Sequence, residues 1–295
     1  MTADLSRPVL TYDPQPRAPR LRLPAGACDS HVHVFGPAGR FSSASGRTFT
    51  PVEAPKEALF ALHRTLGIRR CVIVQSAVHG FDNRVVEDAI AAGGGNYLGV
   101  ALVPVDVSDA ELERLAAAGF RGVRFNFMKH LSGADPARIM ALTPRLRAAG
   151  MHLQVHFQSD LVHELGPQLA TSAVPVVIDH MGRVDATLGA DHPDFRALFA
   201  LLANDLFRVK VSGIDRIDSE PAASTAYEAG TELAKRLVCA YPDRCLWGTD
   251  WPHPNHTHVP DDAALVESLA RIAPSESLRE QLLVTNPAAF YRFQA

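Results

Sequence analysis

Along the chain, short apolar runs rich in β-branched residues alternate with longer stretches whose apolar residues recur every three or four positions. The short runs are 27–35 (ACDSHVHVF), 71–76 (CVIVQS), 97–103 (YLGVALV), 122–127 (GVRFNF), 152–157 (HLQVHF), 174–180 (VPVVIDH), 207–213 (FRVKVSG) and 245–251 (CLWGTDW). Several are apolar at consecutive positions, the pattern of strands buried on both faces. Between them, 57–67, 109–119, 136–150, 195–205 and 226–241 have helical spacing, and several close near Gly or Asn as helix C-termini do. Strands alternating with helices predict a parallel sheet. Eight such units in roughly 250 residues predict an α/β fold of the (β/α)8 TIM-barrel type. No Gly-rich dinucleotide or phosphate-binding loop follows the first run to favour an open sheet. The first 23 residues, with four prolines and scattered arginines, predict an extended N-terminal arm, leaving 24–295 as a single barrel domain.

Composition narrows the function classes. The 295 residues are 47% hydrophobic and 21% charged, with a formal net charge of −3, enough for one large apolar core. No basic stripe points to nucleic acid, and no apolar run approaches the length of a membrane span. The N-terminus has no apolar signal-type segment. Cys28, Cys71, Cys239 and Cys245 have no paired spacing and are expected as reduced thiols in a cytoplasmic protein. The oligomeric state is left open, a homo-oligomer included.

A barrel places its chemistry at the C-terminal ends of its strands. His31 and His33 close strand 1; as residues i and i+2 of a strand they face the same way, the geometry of a metal site if further ligands arrive. Arg124 and Asn126 lie on strand 4, His156 closes strand 5, Asp179-His180 closes strand 6, Ser212 and Arg216 follow strand 7, and Asp250 closes strand 8. A lone H-x-H carries little weight. The convergence of five metal-binding or proton-transfer groups on one rim carries much more.

The phrases CDSHVHVFGP (28–37), RGVRFNF (121–127), VIDHMGR (177–183) and LWGTDWPHPN (246–255) resemble the amidohydrolase superfamily, and more narrowly its lactone-hydrolase branch. The resemblance extends to VTNPAAFY (284–291) near the C-terminus. It implies a distorted barrel, His31, His33, His180 and Asp250 as the active-site set, and hydrolysis of a cyclic ester from aromatic-compound breakdown. Members acting on 2-pyrone-4,6-dicarboxylate resemble a metal-independent group whose strand 5 ends in an aromatic residue, whereas this chain has His156 there. His130 stands where an arginine is expected, and Ser76 provides the serine after strand 2. These departures favour a 4-sulfomuconolactone-like substrate first and 2-pyrone-4,6-dicarboxylate next.

One divalent metal, zinc by preference, is therefore expected on His31, His33, His156 and Asp250. Asp250 is the expected base toward the attacking water, and His180 serves the oxyanion or the leaving oxygen. Arg124 and Arg216 are expected to bind a carboxylate or sulfonate, unless they are structural partners of Asp106 and Asp215. Ser76, His79, His130 and His253 are further candidate substrate contacts on the same rim. Asp179, pointing the other way on the strand, is expected to anchor a neighbour. The partner so implied is a small anionic lactone. A carbon–carbon lyase, a metal-dependent decarboxylase, shares the ligand set and is the alternative. A barrel that only binds would be expected to have lost the His/Asp set.

Overall fold

The computed structural model describes residues 8–128, 134–218, 227–256 and 258–293. Eight parallel strands form one sheet in sequence order, each hydrogen-bonded to the next. They are β1 (Cys28–Val32), β2 (Arg70–Val74), β3 (Tyr97–Leu102), β4 (Phe120–Phe127), β5 (His152–Phe157), β6 (Val176–Ile178), β7 (Phe207–Lys210) and β8 (Cys245–Leu246). Six helices separate the first seven strands: α1 (Lys56–Leu66), α2 (Arg84–Ala92), α3 (Asp109–Ala117), α4 (Pro136–Ala148), α5 (Val162–Leu169) and α6 (Pro193–Leu201). The chain continues through α7 (Ile214–Ile217) and α8 (Glu228–Ala240), and after β8 through α9 (Asp262–Ile272), α10 (Glu276–Glu280) and α11 (Asn286–Tyr291). Local signals set several boundaries. Ser108 accepts from the Glu111 amide at the start of α3, Asp261 accepts from Ala263 and Ala264 at the start of α9, and Gly67 ends α1 at φ 78°.

Two apolar regions result. The larger lies between the sheet and the surrounding helices; the smaller fills part of the lumen with Cys28, Val72, Val74, Leu98, Val100, Val177, Leu246 and Tyr291. The barrel closes through irregular backbone bonds. Ser30 N donates to Trp247 O (2.8 Å), Asp250 N to His31 O (2.8 Å) and His33 N to Trp251 O (2.7 Å). Gly248 permits this approach, since a Cβ there would stand 2.5 Å from His31 N.

Strands 6, 7 and 8 are shorter than their apolar runs. After Ile178 the chain turns through Asp179–Arg183 with His180, Met181 and Arg183 left-handed, and Asp250 (φ 67°) leaves the sheet in the same way. Their apolar character reflects burial at the mouth, beyond the last sheet hydrogen bonds. Residues 8–23 contain no helix or strand. Arg17 bonds Asp261 (2.8 Å) and Glu267 (2.8 and 3.0 Å), and the Tyr12 ring meets the Trp251 ring at 5.0 Å. No helix of the described residues is long and apolar enough to cross a membrane.

Candidate active site at the C-terminal mouth of the barrel

A one-residue bulge aims the H-x-H pair. In the β1–β2 register Asp29 pairs with Cys71 but Val32 pairs with Ile73, so β1 carries one extra residue there. Val32 consequently packs outward with Cys71 and Ile73, and His31 and His33 face inward. Asp29 holds the bulge: its carboxylate accepts from the His31 amide (3.1 Å), the Thr249 amide (3.1 Å) and the Thr249 hydroxyl (2.6 Å). The strand 1 and strand 8 ends are thereby locked together, with Asp250 next to both histidines.

At the centre stands Asp250 Oδ1, buried and without a hydrogen-bond partner among the described residues. Three imidazole nitrogens surround it: His33 Nε2 at 3.4 Å, His31 Nε2 at 3.6 Å and His180 Nε2 at 3.7 Å. Its other oxygen accepts from Arg216 Nε, whose Nη2 also donates to Pro254 O at 2.8 Å. Burial works to raise the Asp250 carboxyl, but Arg216 and His180 outweigh it and hold it well below the usual carboxylate range. His33 Nδ1 donates to Val74 O at 2.7 Å, which leaves Nε2 unprotonated in the neutral ring. His180 Nδ1 lies 2.9 Å from Ser212 Oγ. Burial pushes His31 down to about 4 and His180 well below its ordinary value, so both rings are neutral near pH 7.

Donor atoms of His31, His33 and Asp250 all lie within 4.8 Å of one another, a set able to take a metal ion. His156 stands beyond that set. Its Nδ1 is 3.3 Å from Asn126 Oδ1, its Nε2 has no partner, and its ring centroid is 5.5 Å from that of His180. Burial, with Arg124 nearby, holds His156 well below its ordinary pKa.

Beneath the rim lies a charged layer that the strand-end reading did not reach. Lys210 Nζ donates to Gln154 Oε1 (2.9 Å) and sits 3.3 Å from His31 Nδ1 and 3.8 Å from Asp179 Oδ1. Asp179 accepts from Arg124 Nε at 2.7 Å and lies 3.3 Å from His31 Nδ1. Burial brings Lys210 down to about 8, against the pull of Asp179. Strand parity offered the signal. Lys210 is two residues before Ser212, and Gln154 two before His156, on the same inward faces.

A cavity of about 130 Å³ opens above these groups, lined among others by His33, Ser76, Arg124, His156, Arg183 and Arg216. It shares Thr48, Ala77, Arg124 and Asn126 with a neighbouring cleft of about 570 Å³. The structural partners of Arg124 and Arg216 are Asp179 and Asp250 rather than Asp106 and Asp215. Two expected contacts fall outside the cavity lining. His79 Nδ1 is 3.0 Å from Ser42 O, and His253 is fully buried with Nε2 3.0 Å from Asp262 Oδ1. His130 lies outside the described residues. Arg183, within the VIDHMGR phrase, lines the cavity although it was not among the residues expected there; burial lowers its pKa to about 10.

The backbone at this mouth is unusual for L residues. His180 (φ 47°), Arg183 (φ 57°), Asp250 (φ 67°) and Asn255 (φ 65°) are all left-handed. Such conformations cost about 1–3 kcal/mol each and gather where function holds them in place.

Comparison with known proteins shows the family of this barrel. The chain matches the amidohydrolase family over residues 28–293. It is 43% identical over 291 residues to a 2-pyrone-4,6-dicarboxylate hydrolase of Comamonas testosteroni, covering 96% of this chain and 95% of that protein. It is 37% identical over 277 residues to a 4-sulfomuconolactone hydrolase of Hydrogenophaga intermedia, covering 92% and 90% of the two chains. A solved structure from Pseudomonas putida, described as a 2-pyrone-4,6-dicarboxylic acid hydrolase, superposes with a TM-score of 0.80 at 31% identity, covering 92% of this chain and 100% of the other. The chain belongs to the amidohydrolase family.

Proposed function

We propose that the protein hydrolyses a lactone carrying carboxylate or sulfonate groups, by attack of an activated water on the ring carbonyl. The observation that carries this reading is the unpartnered, buried Asp250 Oδ1 facing three imidazole Nε2 atoms at 3.4–3.7 Å. Held ionised by Arg216, Asp250 accepts the proton of a water seated between it and the substrate. His180 Nδ1 stands 2.9 Å from Ser212 Oγ, and with the hydroxyl donating, the proton of the neutral ring sits on Nε2. From there it hydrogen-bonds the oxyanion, and Asp250 passes the proton it took from the water to the leaving ring oxygen. Arg124, Arg183 and Arg216 make the cavity cationic, which suits an anionic ring. The relatives named for 2-pyrone-4,6-dicarboxylate and 4-sulfomuconolactone act on substrates of this kind.

The donor set fits a divalent cation: His31 Nε2 and Asp250 Oδ1 are buried and unpartnered, and His33, donating through Nδ1 to Val74 O, turns Nε2 toward them. His31, His33 and Asp250 would hold the ion, with His156 lining the cavity beside them. When bound, a zinc-class ion lowers the pKa of water to roughly 7 and polarises a carbonyl.

The test is to incubate the purified protein with 4-sulfomuconolactone and with 2-pyrone-4,6-dicarboxylate, following ring opening by absorbance and product mass. Gain of one water supports the reading. Release of CO₂ would make the protein a decarboxylase, and no turnover of either lactone would reject the anionic-lactone assignment.

A further inference from the structure

Behind Arg216 and Asp250 lies a second group of donors that the hydrolysis does not use. Asp215 belongs to α7, in the segment after β7; His253 and His256 belong to the segment after β8. Donor atoms of these three residues lie within 4.8 Å of one another. Asp215 is 4% exposed and His253 is fully buried, with His256 nearly so.

Each residue has one atom engaged and one left over. His253 Nε2 is 3.0 Å from Asp262 Oδ1, and His253 Nδ1 has no partner. His256 Nε2 bonds Asp215 Oδ2, and both His256 Nδ1 and Asp215 Oδ1 have no partner among the described residues. A buried polar atom without a partner costs about 1–3 kcal/mol, and each of the three residues carries one, so the cluster holds donor capacity that the described residues do not use. The Asp262–His253 contact is the arrangement that stands behind metal-bound imidazoles. The carboxylate takes the proton on one ring nitrogen and turns the lone pair of the other outward.

We propose that Asp215, His253 and His256 form a second divalent-metal site, of the zinc class, distinct from the barrel mouth. Two imidazoles and a carboxylate suit zinc and its neighbours better than calcium or magnesium, and water completes the tetrahedron. Ligand atoms around tetrahedral zinc stand about 3.4 Å apart, so closure asks for side-chain shifts of about an ångström. The ion would tie the segment after β7 to the segment after β8. These are the segments that carry Arg216 and Asp250, and the Pro254 carbonyl that accepts from Arg216 lies between the two histidines in sequence.

The test is metal stoichiometry on the full-length protein. Metal is removed by chelation, Zn²⁺ is titrated calorimetrically, and Co²⁺ is followed by its visible absorption. Whatever the barrel mouth takes, the wild type should bind one equivalent more than His256→Ala or Asp215→Asn. The His31→Ala/His33→Ala double variant should keep one equivalent, together with a zinc-dependent rise in melting temperature. Equal stoichiometry in the wild type and the two single variants overturns the site, as does a folded double variant that binds no zinc. If His256→Ala does not fold, His256→Gln, close in size but lacking the imidazole, makes the same comparison. If the double variant does not fold, the wild-type difference decides alone.

Discussion

The lumen of this barrel holds two regions that are equally dry and built in opposite ways. In the apolar cluster, Cys28, Val72, Val100, Val177 and Leu246 are 0–1% exposed and are satisfied by packing, with only the Tyr291 hydroxyl lacking a partner. Toward the C-terminal mouth, His31, Gln154, Asp179, Lys210 and Asp250 are all 0% exposed, yet each except Lys210 keeps a side-chain atom unpartnered. Buried charge is tolerated only when paired, and Arg124, Lys210 and Arg216 supply the pairing. What remains unpaired is what a substrate, water or ion must meet. The apolar cluster holds the barrel together, and the mouth stores unmet hydrogen-bonding capacity against that support.

The largest expected effect lies at the mouth. Asp250→Asn should lower kcat/KM by roughly 10³-fold or more, the scale of losing a positioned base. Its melting temperature should fall by a few degrees, because the amide leaves the buried Arg216 guanidinium without its paired charge. Lactone turnover and a thermal melt check both parts. Retained activity would remove Asp250 as the base, and a collapse in stability would make the carboxylate structural.

Leu246→Ala, in the apolar cluster of the same lumen, should do the reverse. It should destabilise the protein by about 2–5 kcal/mol through lost burial and a residual cavity, with kcat near the wild-type value at a permissive temperature. Denaturant melts and kinetics at 15–20 °C, on the order of ten degrees below ordinary assay conditions, separate the two effects. A tenfold loss of kcat with little loss of stability would erase the contrast between the regions.

How much of this was legible in the sequence follows from the same contrast. Consecutive apolar runs exposed the eight strands, and the strand-end rule placed His31, His33, His180 and Asp250 on one rim, because both depend on local pattern. The β1 bulge, by contrast, adds a residue between Asp29 and Val32, and only the pairing with β2 reveals it. The partners of Arg124 and Arg216 were unreadable for a related reason. Asp179 and Asp250 come from other strands, and no spacing within β4 or α7 announces them. Lys210 was within reach, since the parity that marks Ser212 as inward also marks Lys210. A lysine inside an apolar run reads as an edge residue until its ladder of partners is known. His253 shows the converse: a rim position in sequence, but a side chain buried against Asp262.

Arg216→Met sharpens the comparison from within the mouth. Removing the guanidinium takes away the charge that holds Asp250 low, so the Asp250 carboxyl should rise and the acid limb of kcat/KM should move to higher pH. A loss of roughly 10- to 100-fold in kcat/KM, part of it as a higher KM for an anionic lactone, is expected. A pH profile that keeps its acid limb while activity falls would leave Arg216 as a substrate contact alone.

The smallest effect is read in stability against pH. Burial holds His31 down to about 4 and His152 down to about 3 in the folded state, while both titrate near 6.5 when unfolded. Between those limits the unfolded chain binds protons that the folded chain refuses, so stability is full above about 6.5 and falls as pH drops toward 4. One of these histidines lies at the mouth and the other at the N-terminal start of β5, among Phe290 and Tyr291. Each group contributes up to about 1.4 kcal/mol per pH unit inside the window, so the step from pH 7 to 6 should cost only a few degrees of melting temperature. His152→Gln should flatten the slope without touching turnover, because its ring packs against Phe290 and Tyr291 rather than at the mouth, whereas a change at His31 should alter slope and turnover together. If both substitutions leave the slope unchanged, the two rings take up protons in the folded protein as readily as in the unfolded chain. The mouth would then carry more positive charge than its neutral histidines allow.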